Sequence, residues 1–381
     1  MNNCSRAAAG SNAALTAPSV APASVRGAKP RILAVSAIAA LLAASAMSGA
    51  WADQVTLVEG HTFKASSVVG GRVNGDITKE TASAVTVNAN GTAVTIPIDQ
   101  IERVVYADEP AVMVAARSRT DLTKAVDEFQ KAAAEAKGKP LVEQAALFGQ
   151  YRAVANLALG DPSRVDASIA QLQKFVKTYS DSRHKAEALE LLVRLQSQKN
   201  DLAGAKQSAA DLGKIAWSAD HAKVLDARLA TKTADSGQLD SALTSLNGLI
   251  QASKNAAVKR DAMVAKAEVL AAQKKFPEAE AAAKQVSAEA DPDDGKTQAI
   301  AFNTLGDCLL AADKPKDAIL AYLRTDLLYR NADKEQHARA LAQIAKIWRM
   351  LKQDARATEV IGQLKAQYPS SPWLNAAQGN P

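Results

Sequence analysis

Residues 301–322 read AFNTLGDCLLAADKPKDAILAY. Phe302, Leu305, Gly306 and Leu309 recur at helical spacing and fall on one face of a first helix, and Ala318 and Tyr322, four residues apart, belong to a second. The pattern returns downstream as Leu341, Ile344, Ala345 and Trp348, then Ala357 and Ile361, and closes on Pro369. Upstream it returns as Met263, Ala267 and Leu270, then Phe276, Ala279 and Val286. Unit starts fall near Gly149, Ala186, Lys223, Arg260, Ala299 and Ala338, at intervals of 37 to 39 residues. A fixed internal period of this size marks stacked structural units, each unable to bury its apolar face alone.

A bulky residue, Leu305-Gly306, an aromatic, then Ala318 and Tyr322 with a closing Pro369 in the last unit resemble the tetratricopeptide repeat (TPR) pattern. The resemblance covers roughly residues 149–371 and is sharpest in the last three units. It departs from the family in three ways. The intervals exceed the usual ~34 residues, the units from Gly149 and Lys223 lack a first-helix aromatic, and Asn156 occupies a small-residue position. The resemblance implies a mainly α fold, an α-solenoid of antiparallel helical hairpins. Small residues at 267, 306 and 345, and at 279, 318 and 357, let paired helices approach closely.

Composition agrees with thin, closely packed helices. The chain has 381 residues, 82 of them alanine, and only 4% aromatics. Two cysteines exclude a disulfide-rich scaffold. The net charge of +6 invites an anionic partner until the N-terminus is segmented. Ile32 to Ala50 is an uncharged apolar run preceded by Arg26, Lys29 and Arg31 and followed by Ala50-Trp51-Ala52, the three parts of a secretory signal with cleavage between Ala52 and Asp53. An uncleaved signal anchor is the rival reading. Residues 1–52 carry four basic and no acidic residues, so the mature chain holds about +2. Cys4 leaves with the signal, and Cys308 becomes the sole thiol.

Between residues 53 and 108 the apolar period is two. Val85 and Val87, then Val94 and Ile96, flank Asn90-Gly91, a strong hairpin signal because both turn positions need positive φ. Further runs at 55–58, 62–66, 73–79 and 102–106 predict five or six short strands. This stretch resembles the small SH3-like or Sm-like barrels that open some exported bacterial proteins. Residues 109–148 are expected to hold linking or capping helices, notably 121–137. The tail 372–381 begins with Ser371-Pro372-Trp373, an N-cap and first turn.

No catalytic, metal or cofactor constellation emerges. Ala290 to Thr297 (ADPDDGKT) has phosphate-loop spacing, but helical residues precede it and three aspartates occupy the place of the phosphates, so it reads as an inter-repeat loop with a helix start at Asp294. His61, His184, His221 and His337 are isolated in sequence, and Cys308 reads as a small buried hydrophobe. Nucleic acid is not an expected target for a nearly neutral exported chain. The expected function is a non-catalytic protein–protein interaction scaffold of the cell envelope, periplasmic or secreted, without an integral span once the signal is cleaved. Its groove would take a protein or peptide through Asn303, Asp307, Arg339, Lys346 and Arg349. The alternative is a sensor whose β-domain recognises a ligand while the repeats self-associate.

Overall fold

The structure is a computed structural model that describes residues 52–233, 235–369 and 371–378. The predicted signal, apart from Ala52, lies outside them. Five strands come first: β1 (Asp53–Leu57), β2 (Arg72–Glu80), β3 (Ala84–Ala89), β4 (Thr92–Pro97) and β5 (Ile101–Val105). They form an antiparallel sheet in the order β4-β3-β2-β1-β5. The β3–β4 turn has the expected form, with Asn90 at φ 53° and Gly91 at φ 81°. β2 pairs with β1 up to Gly75 and with β3 from Asp76 onward. Gly75 permits that change of partner, because a Cβ there would overlap the carbonyl of Asn88. The sixth predicted strand, 62–66, is instead a loop. Its backbone is tied by the Thr62 N–H to Gln100 Oε1 (2.8 Å), and Phe63 and Ala65 pack on the core.

Fifteen helices follow among the described residues: α1 (Ala111–Ser118), α2 (Leu122–Glu135), α3 (Pro140–Gly160), α4 (Val165–Thr178), α5 (Lys185–Gln198), α6 (Leu202–Gly213), α7 (Ala219–Thr233), α8 (Ser236–Ala252), α9 (Ala256–Ala272), α10 (Phe276–Glu289), α11 (Gly295–Ala311), α12 (Pro315–Leu328), α13 (Lys334–Met350), α14 (Asp354–Gln367) and α15 (Pro372–Gln378). From α3 to α14 they form six antiparallel hairpins, each packed on the next. Gly149 falls within α3, so the first hairpin opens at Pro140. No helix among the described residues is long and apolar enough to cross a membrane.

Local chemistry sets the helix ends. Asp121, Asp201, Asp235, Asn255, Asp294 and Asp333 each accept from backbone N–H groups of the first turn. Thus ADPDD is a loop after α10 whose Asp294 caps α11, and Gly295 to Thr297 form the first turn of that helix. Four first helices end alike. Asn200, Lys274, Asp313 and Lys352 sit at φ of 56–63°, and the next N–H reaches back to a carbonyl five residues earlier, as from Lys275 to Leu270 and Gln353 to Trp348.

Small residues hold the hairpins together. Tyr322, fully buried, lies against Gly306, where a Cβ would come within 2.6 Å of its ring. Phe129 of α2 rests on Gly149 of α3 in the same way. Ala267, Ala279, Ala318, Ala345 and Ala357 are all buried at 0–1% exposure. Dense packing leaves such sites no room for a larger side chain.

Lys274→Gly and Lys352→Gly are each expected to stabilise the chain by about 0.5–1 kcal/mol, because glycine adopts positive φ without a Cβ penalty. Gly306→Val should cost about 1–3 kcal/mol through overpacking against Tyr322. Urea unfolding of residues 53–381 checks both.

Candidate functional site

First helices of successive hairpins touch one another (α3–α5, α7–α9, α9–α11, α11–α13), whereas second helices make no comparable contact among themselves. The first helices therefore lie on the short-radius, inner side. Charged residues on their uncovered faces meet across the units. Arg152 of α3 pairs with Glu187 of α5 (3.5 Å), Glu190 of α5 meets His221 of α7 (3.5 Å), and Arg228 of α7 binds Glu268 of α9 (2.9 Å). Farther along, Arg339 of α13 binds Asp307 of α11, whose other oxygen accepts from the Tyr322 hydroxyl.

Four of the five residues expected in the groove are engaged. Asn303 is not exposed as expected: it is fully buried, because its position on α11 faces α13, and its amide donates to the carbonyl of Gln336 (2.9 Å). Asp307 and Arg339 face each other in the pair just described. Arg349 is exposed but donates to the carbonyl of Ala377 (2.7 Å). Lys346 is exposed on α13. The structure thus brings Asp307 and Arg339 together and leaves Lys346 apart from them. Sequence reasoning missed Arg152, Glu187, Glu190, Arg194, His221, Arg228 and Glu268. The signal was present in α5, where Glu187, Glu190 and Arg194 recur at helical spacing opposite the apolar face.

Burial pushes the Glu190 carboxyl up to about 7, aided by the negative charges of Glu187 and Asp261 and opposed by Arg194. Burial lowers His221 from its ordinary range. Each member of this contact is therefore biased towards its neutral form. Among the described residues no group of three His, Cys, Asp or Glu side chains converges to hold a metal. His337 is buried and structural, bonded to Tyr368 Oη (2.7 Å) and Asp326 Oδ1 (2.8 Å). Burial also pushes the Cys308 thiol up to about 12, which leaves no reactive thiolate at neutral pH.

The row of hairpins returns on itself. α15 touches both α13 and α3, and Arg194 of α5 reaches Glu335 of α13 (3.5 Å). Between the two ends lies a cavity of about 440 Å³, with Leu122, Asn156 and Leu159 on one wall and Glu335, Ala338 and Tyr368 on the other. Asn156, which departs from the repeat pattern, thus lines this seam.

The sheet is clamped to the first hairpins. Ala82, in the β2–β3 turn, donates its N–H to Asp181 (3.1 Å) and accepts from Trp217 Nε1 (2.8 Å). Glu80, with its side chain 1% exposed, binds Arg183 (3.0 Å) and the Tyr106 hydroxyl (2.7 Å). A polar cavity of about 330 Å³ opens beside this clamp, lined in part by Arg103, Arg117, Arg152, Arg183 and His184.

Glu80→Ala should cost about 3–5 kcal/mol, because it strands the buried Arg183 guanidinium; the double variant Glu80→Leu with Arg183→Met should recover most of that loss. The raised pKa of Glu190 favours its neutral form in the folded chain. That contribution is present below the ordinary glutamate range and lost as pH rises through about 7. Glu190→Gln should therefore stabilise more at pH 8 than at pH 5, by about 1 kcal/mol after solvent screening. Thermal melts at the two pH values decide it.

No family model and no curated protein matches this chain. Similar solved structures include a tetratricopeptide repeat protein from Parabacteroides merdae ATCC 43184, 12% identical with a TM-score of 0.43, covering 70% of this chain and 98% of that one. PilW, a widely conserved type IV pilus biogenesis factor, is 17% identical with a TM-score of 0.36, covering 56% and 90%. NprR, solved in complex with its cognate peptide NprX, is 13% identical with a TM-score of 0.41, covering 70% and 80%.

Proposed function

We propose that the chain is an exported, non-catalytic scaffold that holds a protein or peptide partner of the cell envelope on the inner face of its helical array. The observation that carries this function is the face itself: its first helices present charged side chains that meet from one unit to the next, Arg152 with Glu187, Glu190 with His221, Arg228 with Glu268 and Arg339 with Asp307, with Lys346 exposed beyond them. Its charges are largely paired with one another. A partner binds there by exchanging those pairs, which favours a polar segment of mixed charge over a purely acidic or apolar one. Export is supported by the sequence pattern of residues 1–52. β1 opens at Asp53, whose two carboxylate oxygens accept from the N–H groups of Ile77 and Ala107 at 2.8 Å each.

One set of observations favours the alternative in which the β-domain recognises a ligand and the repeats self-associate. The arginine-lined cavity beside the sheet offers a polar pocket, and Leu320, Leu327 and Leu328 stand 61–67% exposed on α12.

Capture from envelope extract by immobilised residues 53–381 tests the scaffold. Lys346→Glu on the inner face should reduce capture by about tenfold, whereas Leu327→Ser on the outer face should not. Equal capture by both variants would remove the inner face as the binding site. N-terminal sequencing of the chain recovered from cells should begin at Asp53.

A further inference from the structure

The row of hairpins closes on itself through α15. Its seven residues join the last hairpin to the first. On the last hairpin Ala377 is fully buried, its carbonyl accepts from Arg349 (2.7 Å), and Arg339, the inner-face partner of Asp307, stands 5.8 Å from the centre of the Trp373 ring. On the first hairpin Asn375 donates to the carbonyl of Gly160, 215 residues earlier, and a Cβ on Gly160 would come within 2.8 Å of the Cα of Pro372. Glycine is thus required there for the two ends to meet.

We propose that α15 is a releasable clasp, which closes the array into a ring when docked and opens the inner face to a partner when it lets go. This goes beyond the scaffold function by naming how the same face is gated.

Three features make the contact releasable rather than part of the permanent core. A seven-residue helix has too few internal hydrogen bonds to persist alone, so undocking and unfolding are one event. The contact follows the last hairpin in the chain, where local opening requires no other hairpin to move. The seam beside it is imperfectly packed, with the cavity of about 440 Å³ lined by Asn156 and Leu159 on one side and Glu335 and Ala338 on the other. Successive hairpins, by contrast, meet through fully buried alanines such as Ala265, Ala267 and Ala340. Apart from α15, the seam ion pair is Arg194–Glu335 at 3.5 Å, with side chains 45% and 58% exposed. A pair so exposed is worth less than about 1 kcal/mol and does not hold the ring shut by itself.

Gly160 also supplies a way to undo the contact without shortening the chain: a Cβ there would come within 2.8 Å of the Pro372 Cα, so Gly160→Ala should undock α15. Hydrogen exchange and small-angle scattering would be recorded on residues 53–381, on the same chain lacking 372–381, and on the Gly160→Ala chain. Removing α15 should raise the radius of gyration. It should also speed exchange of the amides near Gly160 and in the first turns of α13 by about tenfold or more, while the other hairpins keep their protection. Gly160→Ala should speed exchange of those same amides. Unchanged scattering and exchange on removing α15 would overturn the clasp, as would melting of the whole array, or exchange in the Gly160→Ala chain equal to that of the unaltered one. None of these readouts involves a partner. A scaffold that captures nothing and a clasp that does not open are therefore separate failures.

Discussion

The close approach of paired helices over a residue with little or no side chain is the constraint on which the rest depends. Tyr322 over Gly306 and Phe129 over Gly149 show it most directly, and the buried alanines repeat it along the array. Few large aromatics are needed to fill cores this thin, which accounts for a chain with 82 alanines and 4% aromatics. Because each hairpin stacks on the next with a similar geometry, small rotations accumulate until the first and last units meet.

That accumulated curvature brings charged faces into register. Side chains that would be solvated on isolated helices become partners across units: Arg152 with Glu187, Arg228 with Glu268, Arg339 with Asp307. Most are partly exposed and individually weak. Their larger effect is to leave the inner face nearly neutral and self-satisfied, so that a partner must offer replacement charges. The exception is the clamp of Glu80, Arg183 and Tyr106, which is buried and fastens the sheet to the first hairpins.

The repeat period, the hairpin turn at Asn90-Gly91 and the helix start at Asp294 were all legible in the residues. Each is fixed within a few positions, by helix periodicity, by the φ that a turn demands, or by a carboxylate beside free N–H groups. The loop at 62–66 was not legible, since its alternation also suits a strand and only the bond to Gln100 removes the choice. Asn303 was misplaced for a related reason. A polar residue on a first helix belongs to the groove or to the contact with the next unit according to a rotation of a few tens of degrees, which the period alone does not specify.

The sequence by itself determined the class of architecture and the location of the small-residue contacts, because these follow from local composition and spacing. Only the tertiary structure decided that the row returns on itself, that α15 joins its ends, and which charges pair across them. Those contacts join Asn375 to Gly160 and Arg194 to Glu335. Pairs so distant in the chain are set by the summed rotation of six hairpins, a quantity that no single window of residues contains.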